Sequence, residues 1–134
     1  MPLNYSYHTM FHVIGEGEVL GELMVDLLKS NGYQAAAFSN SVEYYNHVCN
    51  EEYVSPIAII TDARMAELSG DDFNKICEKF PEMRFMIISG YNEDVESSIN
   101  NVCHYLTKPF NSDEMMIIVG AIVREFQHNF PSTK

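Results

Sequence analysis

Apolar residues along the chain form short continuous runs separated by longer stretches with helical spacing. The runs lie at residues 11–14 (FHVI), 34–38 (QAAAF), 57–60 (IAII), 84–88 (RFMII) and 102–107 (VCHYLT). Short apolar runs bounded by turn residues are typical of strands, and those without alternation are typical of strands buried on both faces of a parallel sheet. The pattern therefore predicts five strands.

Between these runs, apolar residues recur at the three- and four-residue spacing of a helix. The spacing predicts helices at about 20–30, 41–51, 73–80, 93–100 and 111–126. Strands that alternate with helices in this way predict a parallel sheet with helices on both faces, joined by right-handed crossovers.

Some helix ends and one buried helix face can also be predicted. Ser39 or Asn40 caps the second helix, and Asn111 and Glu114 form a capping-box pattern at the start of the last one. The inward face of the second helix is expected to contain Tyr45, Val48 and Cys49.

Length and composition indicate one globular domain. The chain has 134 residues, of which 46% are hydrophobic and 20% charged, values that suit a folded domain with its own core. No repeat or Pro/Gly/Ser linker divides it. We expect a domain at residues 10–128 between an N-terminal tail, 1–9, and a C-terminal tail, 129–134.

The charge of the chain and its cysteines indicate which kinds of partner it can bind and in which cellular compartment it functions. The formal net charge is −11 without a basic cluster, which disfavours nucleic acid as a partner. No apolar run has the length of a membrane span. The chain has an odd number of cysteines, and each lies in an apolar context: Cys49, Cys77 and Cys103. We therefore expect buried free thiols rather than disulfides. Free thiols indicate a reducing compartment, so we expect a cytoplasmic location.

Four chemically useful side chains follow four different predicted strands. Glu16, Asp62, Ser89 and Lys108 would meet at one edge, because the carboxyl ends of parallel strands lie together and form the usual ligand site. Two carboxylates can hold a divalent cation while a lysine and a hydroxyl bind the oxygens of a phosphoryl group carried by one of them. Aspartate is a known covalent acceptor in phosphoryl transfer.

Three segments carrying these residues resemble the response-regulator receiver family in order and spacing. They are IAIITDARMAELSGDDF around Asp62, MIISGYNEDVE around Ser89 and HYLTKPFNSDEM around Lys108. The resemblance covers residues from about 11 to 126. It implies a doubly wound, flavodoxin-like α/β fold, with a five-stranded parallel sheet in the order 2-1-3-4-5 and five helices on its two faces.

The resemblance also implies a role for individual residues. Asp62 would be the phosphoacceptor, Ser89 the switch hydroxyl, Lys108 the phosphate-binding lysine and Tyr105 the switch aromatic. The metal Mg2+ would be held by Glu16, Asp62 and the backbone carbonyl of Arg64. Three further positions match the family pattern: Gly70, which closes the loop after the acceptor, Gly90, beside the phosphate, and Pro109, in a cis peptide bond with Lys108.

One departure concerns the metal site. Receivers usually carry two adjacent acidic residues after the first strand, whereas this chain has Gly15 and Glu16 there. The missing carboxylate and the longer glutamate arm are expected to weaken or shift Mg2+, which demands near-ideal octahedral geometry. A milder departure is Ala66, where the family usually has proline.

The function implied is that of a response regulator in a two-component phosphorelay. A histidine kinase or histidine phosphotransfer protein would phosphorylate Asp62, and altered binding to a downstream protein would be the output. Such a chain is not a conventional enzyme, although it can hydrolyse its own phosphoryl group. A homodimer is compatible with this function.

Two alternatives remain open. A phosphorylation-independent pseudo-receiver, an interaction module with the same fold, is favoured by Gly15. A hydrolytic enzyme on the same sheet is disfavoured, because the sequence offers no positioned nucleophile with its own base.

Overall fold

The computed structural model describes residues 10–15, 18–62, 71–90 and 101–129. Its strands are β1 (Met10–Ile14), β2 (Gln34–Phe38), β3 (Ala58–Asp62), β4 (Arg84–Ser89) and β5 (Cys103–Thr107). The helices within these ranges are α1 (Glu18–Ser30), α2 (Ser41–Val48), α3 (Asp71–Lys79) and α4 (Ser112–Asn129). The helix predicted at 93–100 lies outside the described residues.

The five strands form one parallel sheet in the order β2-β1-β3-β4-β5. This order confirms the predicted doubly wound, flavodoxin-like class. The change of direction in strand order falls at β1 and β3, so the carboxyl ends of these strands flank the crevice where such sheets bind ligands.

The core lies in two layers, one on each face of the sheet. Successive residues of a strand point to opposite faces, so Ile60 packs in the layer under α1 and α4, whereas Ile59 packs in the layer under α2 and α3. Both side chains are fully buried, as are those of Met24, Met86 and Met115. The continuous apolar run at β3 thus reflects a strand covered on both faces.

Two predicted helix caps are present. Asn40 Oδ1 accepts a hydrogen bond from the backbone N–H of Glu43 at 2.8 Å. In the capping box of α4, Asn111 Oδ1 accepts from the N–H of Glu114 at 2.8 Å, and Glu114 Oε1 accepts from the N–H of Asn111 at 3.1 Å. In the part of the chain that the structure describes, no helix is long and apolar enough to cross a membrane.

The predicted inward face of α2 is partly wrong. Val48 is buried as expected, but Tyr44 rather than Tyr45 is fully buried, and Cys49 is exposed. Tyr45 is half-buried and its ring lies 5.6 Å from the ammonium of Lys75. Adjacent tyrosines give no local signal for the phase of a helix, and the contacts of Tyr44 with the sheet decide it.

The expectation of three buried thiols is also only partly right. None of the three cysteines forms a disulfide, but only Cys77 is buried, whereas Cys103 is half-buried and Cys49 exposed. Burial, reinforced by Cys103 and Glu78, raises the pKa of the Cys77 thiol to about 12. Cys77 therefore stays a protonated, unreactive thiol at neutral pH.

The contacts of Tyr44 centre on a buried histidine of β1. His12 is 4% exposed, and its Nδ1 lies 2.8 Å from the hydroxyl of Tyr44, which in turn lies 3.3 Å from the hydroxyl of Tyr53. The rings of Phe38 and His47 pack against His12 at centroid distances of 5.4 and 5.8 Å. Burial, together with the neighbouring His47, lowers the pKa of His12 from 6.5 to about 4.

Candidate functional site

Asp62 and Lys108 form an ion pair at the carboxyl edge of the sheet. Lys108 Nζ donates to Asp62 Oδ2 at 3.1 Å, although the two residues are 46 positions apart in sequence. Asp62 is the last residue of β3 and is 7% exposed, while the side chain of Lys108 is 40% exposed. A shielded carboxylate thus meets an ammonium that solvent can still reach.

The backbone around β4 and β5 holds Lys108 in this position. The two strands are in register up to Ser89 and Thr107, and the N–H of Lys108 then donates to the carbonyl of Ser89 at 2.8 Å. The predicted cis peptide bond between Lys108 and Pro109 is present. The role of the Ser89 carbonyl could not be predicted from the sequence, which points only to the hydroxyl, because main-chain contacts leave no trace in side-chain patterns.

Ser89 lies one strand beyond Asp62 at the same edge. Asp62 pairs in register with Ile88, so Ser89 extends one residue further along β4 than β3 reaches. Ser89 is 6% exposed, and Gly90, half-buried, follows it directly. Three predicted side chains, Asp62, Ser89 and Lys108, are therefore brought to one edge of the sheet.

Tyr105 lies two residues before the end of β5. Its side chain is 44% exposed, and it pairs in register with Ile87 of β4. Strand alternation places Tyr105 on the face opposite to Leu106, which packs under α4. The residue predicted as a switch aromatic therefore lies on the sheet face of α2 and α3 and is accessible to a partner.

The predicted metal ligands are only partly described. Gly15 is buried at the end of β1, where its N–H donates to the carbonyl of Phe38 at 3.1 Å, and it brings no carboxylate to the edge. Glu16, Arg64 and Gly70 lie outside the described residues, as does Ala66. Among the residues that are described, no group of three or more His, Cys, Asp or Glu side chains could hold a metal ion.

Comparison with models of known protein families shows the family to which the chain belongs. The model of the response regulator receiver domain matches residues 11–120, which is most of the chain. The chain therefore belongs to the response regulator receiver domain family, whose members are signalling modules of two-component systems. No curated protein was found to match it significantly.

Solved structures agree with this assignment at the level of the fold. A response regulator receiver domain protein from Clostridium thermocellum is 24% identical with a TM-score of 0.72, over 90% of this chain and 98% of that one. FixJ from B. japonicum, crystallised at full length, is 16% identical with a TM-score of 0.68, over 89% of this chain and 59% of that one. NtrX from Brucella abortus in complex with ADP is 15% identical with a TM-score of 0.71, over 89% of this chain. The match spans only 27% of the NtrX chain, so this domain corresponds to one part of that larger protein.

Proposed function

We propose that this receiver domain accepts a phosphoryl group on Asp62 from a histidine kinase or histidine phosphotransfer protein. The observation that carries the proposal is the contact of Lys108 Nζ with Asp62 Oδ2 at the carboxyl end of β3. A buried carboxylate that already meets a partly solvated ammonium has a binding group for the oxygens of an incoming phosphoryl group.

In the proposed transfer, a carboxylate oxygen of Asp62 attacks phosphorus, the phosphorus–nitrogen bond of the donor phosphohistidine breaks, and its electron pair returns to the imidazole. The product is an acyl phosphate on Asp62. Lys108 would move from the carboxylate to the phosphoryl oxygens and offset their charge. The Ser89 hydroxyl, at the same edge, would donate to another of these oxygens.

The donor set proposed for Mg2+ consists of oxygens, which are the ligands that this hard cation prefers. Asp62 would contribute a carboxylate oxygen, Glu16 a second one, and Arg64 its backbone carbonyl. Bound Mg2+ would supply further neutralisation of the developing negative charge. With Gly15 in place of one acidic residue, we propose weaker metal binding than a site with two acids would have.

The proposed output is a change in protein binding. Hydrogen bonding of Ser89 to the new phosphoryl oxygens would vacate space toward which Tyr105, 44% exposed, can turn. The outward and inward positions of Tyr105 would give the surface around β5 two different shapes. A downstream protein would bind one of these shapes more tightly than the other. We propose a signalling module of the cytoplasm rather than an enzyme that turns over a substrate, with self-dephosphorylation as its own hydrolytic step.

Chelation gives a direct test of the metal requirement. Incubation with acetyl phosphate and Mg2+ should yield one phosphoryl adduct per chain, detected by intact mass spectrometry. Addition of EDTA before the donor should reduce the adduct by at least about 100-fold, because the metal provides a large share of the charge stabilisation. An adduct that forms equally well without any divalent cation would contradict the proposed metal role.

The buried Gly15 favours a second candidate, a pseudo-receiver that binds partners without phosphorylation. In that case Mg2+ and acetyl phosphate would leave both the mass of the protein and its amide NMR spectrum around β5 unchanged. The first candidate predicts that both change together, so the two functions are distinguishable in one sample.

A further inference from the structure

Among the described residues, the edge strand β2 carries no charge, proline or bulge that would hinder pairing with another chain. It forms one outer edge of the sheet and, among the described residues, pairs only with β1. Its sequence, QAAAF, contains no charged residue and no proline, and all five residues stay in register with β1 without a bulge. Edge strands usually carry such features, because half of their backbone N–H and C=O groups face outward.

A groove lies along this strand, beneath α1. It has a volume of about 350 Å³ and is lined by Ala35, Ala36, Ala37, Glu22, Val25, Asp26 and Lys29. The three alanines have short side chains, and α1 approaches them closely: a Cβ added at Gly21 would lie 3.4 Å from that of Ala37. An additional strand beside β2 would therefore run under the outer face of α1.

The groove is lined by three charged side chains of α1, the carboxylates Glu22 and Asp26 and the ammonium of Lys29, all of them exposed. Glu22 and Asp26 are both exposed on α1 and are four residues apart, which separates them by about 6 Å along the helix axis. Residues two apart on a strand are separated by about 6.7 Å, and they point to the same face. Basic side chains at alternate positions of an added strand would thus meet the two carboxylates in turn.

We infer that the edge of β2 and the acidic face of α1 together form a docking site for an extended segment of a partner protein with Lys or Arg at alternate positions. Main-chain hydrogen bonds to β2 would provide affinity, and Glu22 and Asp26 would select the side chains, as in strand addition to an exposed sheet edge. The groove is lined by helix and strand residues that are not part of the Asp62 site.

Other occupants fit this site less well. A second copy pairing edge to edge would add its own β2, QAAAF, as the new strand, and this strand offers no basic side chain to Glu22 and Asp26. The N-terminal residues 1–9, MPLNYSYHT, contain neither lysine nor arginine. The net charge of −11 further favours a basic partner.

The inference can be tested with a synthetic peptide that alternates lysine with valine or threonine, titrated into the full chain by fluorescence anisotropy. Binding to the protein should weaken by about tenfold or more in the double variant Glu22→Lys, Asp26→Lys, since two attractive charge pairs become repulsive. The same variant should gain affinity for a peptide in which glutamate replaces every lysine. Amide hydrogen exchange at Gln34–Phe38 should slow when the lysine peptide binds.

A matched control separates docking from general attraction. The double variant Glu51→Lys, Glu52→Lys changes two other exposed glutamates and the net charge by the same amount. It should bind the lysine peptide within about twofold of the wild type, as should Asp62→Asn, whose loss of phosphorylation is independent of this site. Equal weakening in both double variants, peptide-independent exchange at β2, or self-association through β2 in sedimentation would overturn the inference.

Discussion

Replacement of Asp62 by asparagine should remove all phosphorylation of the protein by acetyl phosphate or by a phosphohistidine donor. The amide keeps the shape of the carboxylate but is a poor nucleophile. The substitution also removes the negative charge of the Asp62 carboxylate, whose Oδ2 lies 3.1 Å from Lys108 Nζ. We expect the adduct seen by intact mass spectrometry to disappear, a loss of at least about 1000-fold in rate, as for removal of a covalent nucleophile. The fold should persist, since Asp62 and Asn have similar volumes.

The matched control for this variant is Glu51→Gln, which replaces an exposed carboxylate outside both proposed sites by an amide. It should accept the phosphoryl group at the rate of the wild type. A phosphoryl adduct on the Asp62→Asn protein would show that another residue is the acceptor, and peptide mapping would identify it.

Acid should destabilise the protein in the window set by His12, which begins at pH 6.5 and extends down to about 4. The pKa of His12 is lowered by burial and by His47 to about 4, against 6.5 when unfolded, so the unfolded chain binds the extra proton first. The stability due to neutral His12 is complete above 6.5 and falls as the pH drops toward 4. Each unit of pKa shift corresponds to about 1.4 kcal/mol, which gives a loss of about 3 kcal/mol in the free energy of unfolding.

His12→Phe is the variant that checks this result. Phenylalanine suits the aromatic surroundings of Phe38 and Tyr44, and the hydroxyl of Tyr44 keeps Tyr53 as a partner. Urea unfolding across the window from 6.5 to 4 should lose most of its pH dependence in this variant. The same slope in both proteins would show that some group other than His12 controls acid stability.

Glu125 acts in a different window and does not obscure the result. Burial raises its pKa, but hydrogen bonds and charge from His104 and Arg84 outweigh this, so the pKa of Glu125 lies below its ordinary value of 4.5. A carboxylate with a lowered pKa contributes stability above its ordinary value and loses it only below. Its contribution therefore disappears at lower pH than that of His12.

Much of the sheet could be predicted because its signals are local. The run IAII has the length and composition of a doubly covered strand, and the polar pair Thr61 and Asp62 marks its carboxyl end. Asn111 and Glu114 set the start of α4 through contacts within four residues of each other. Such signals do not depend on the rest of the fold.

The burial of Tyr44 could not be predicted, because it depends on a contact between distant parts of the chain. Tyr44 and Tyr45 are adjacent and chemically identical, and contacts with distant residues such as His12, 32 residues earlier, distinguish them. The groove along β2 was missed for a similar reason. Glu22 and Asp26 have the spacing of an ordinary solvated helix face, and their relation to an open strand exists only once β2 is an edge.

The site itself was predicted from strand ends together with family resemblance. Parallel strands bring their carboxyl ends to one edge, so Asp62, Ser89 and Lys108 had to lie near each other once the strand order was right. Strand ends alone could not separate an acceptor from a turn aspartate; the resembling segments made that distinction. The domain limits at 10–128 and the metal ligands Glu16 and Arg64 stay predictions.

The most direct test of the account is a titration with Mg2+ in the presence and absence of beryllofluoride, which imitates a phosphoryl group on a carboxylate. Followed by NMR of backbone amides, it reports on metal, acceptor and lysine together. We predict that beryllofluoride binds only with Mg2+, shifts the amides of Asp62, Ser89 and Lys108, and has no effect on Asp62→Asn or Lys108→Ala. Shifts that are absent from the wild type at saturating Mg2+, or that persist in both variants, would contradict phosphoryl acceptance at this edge of the sheet.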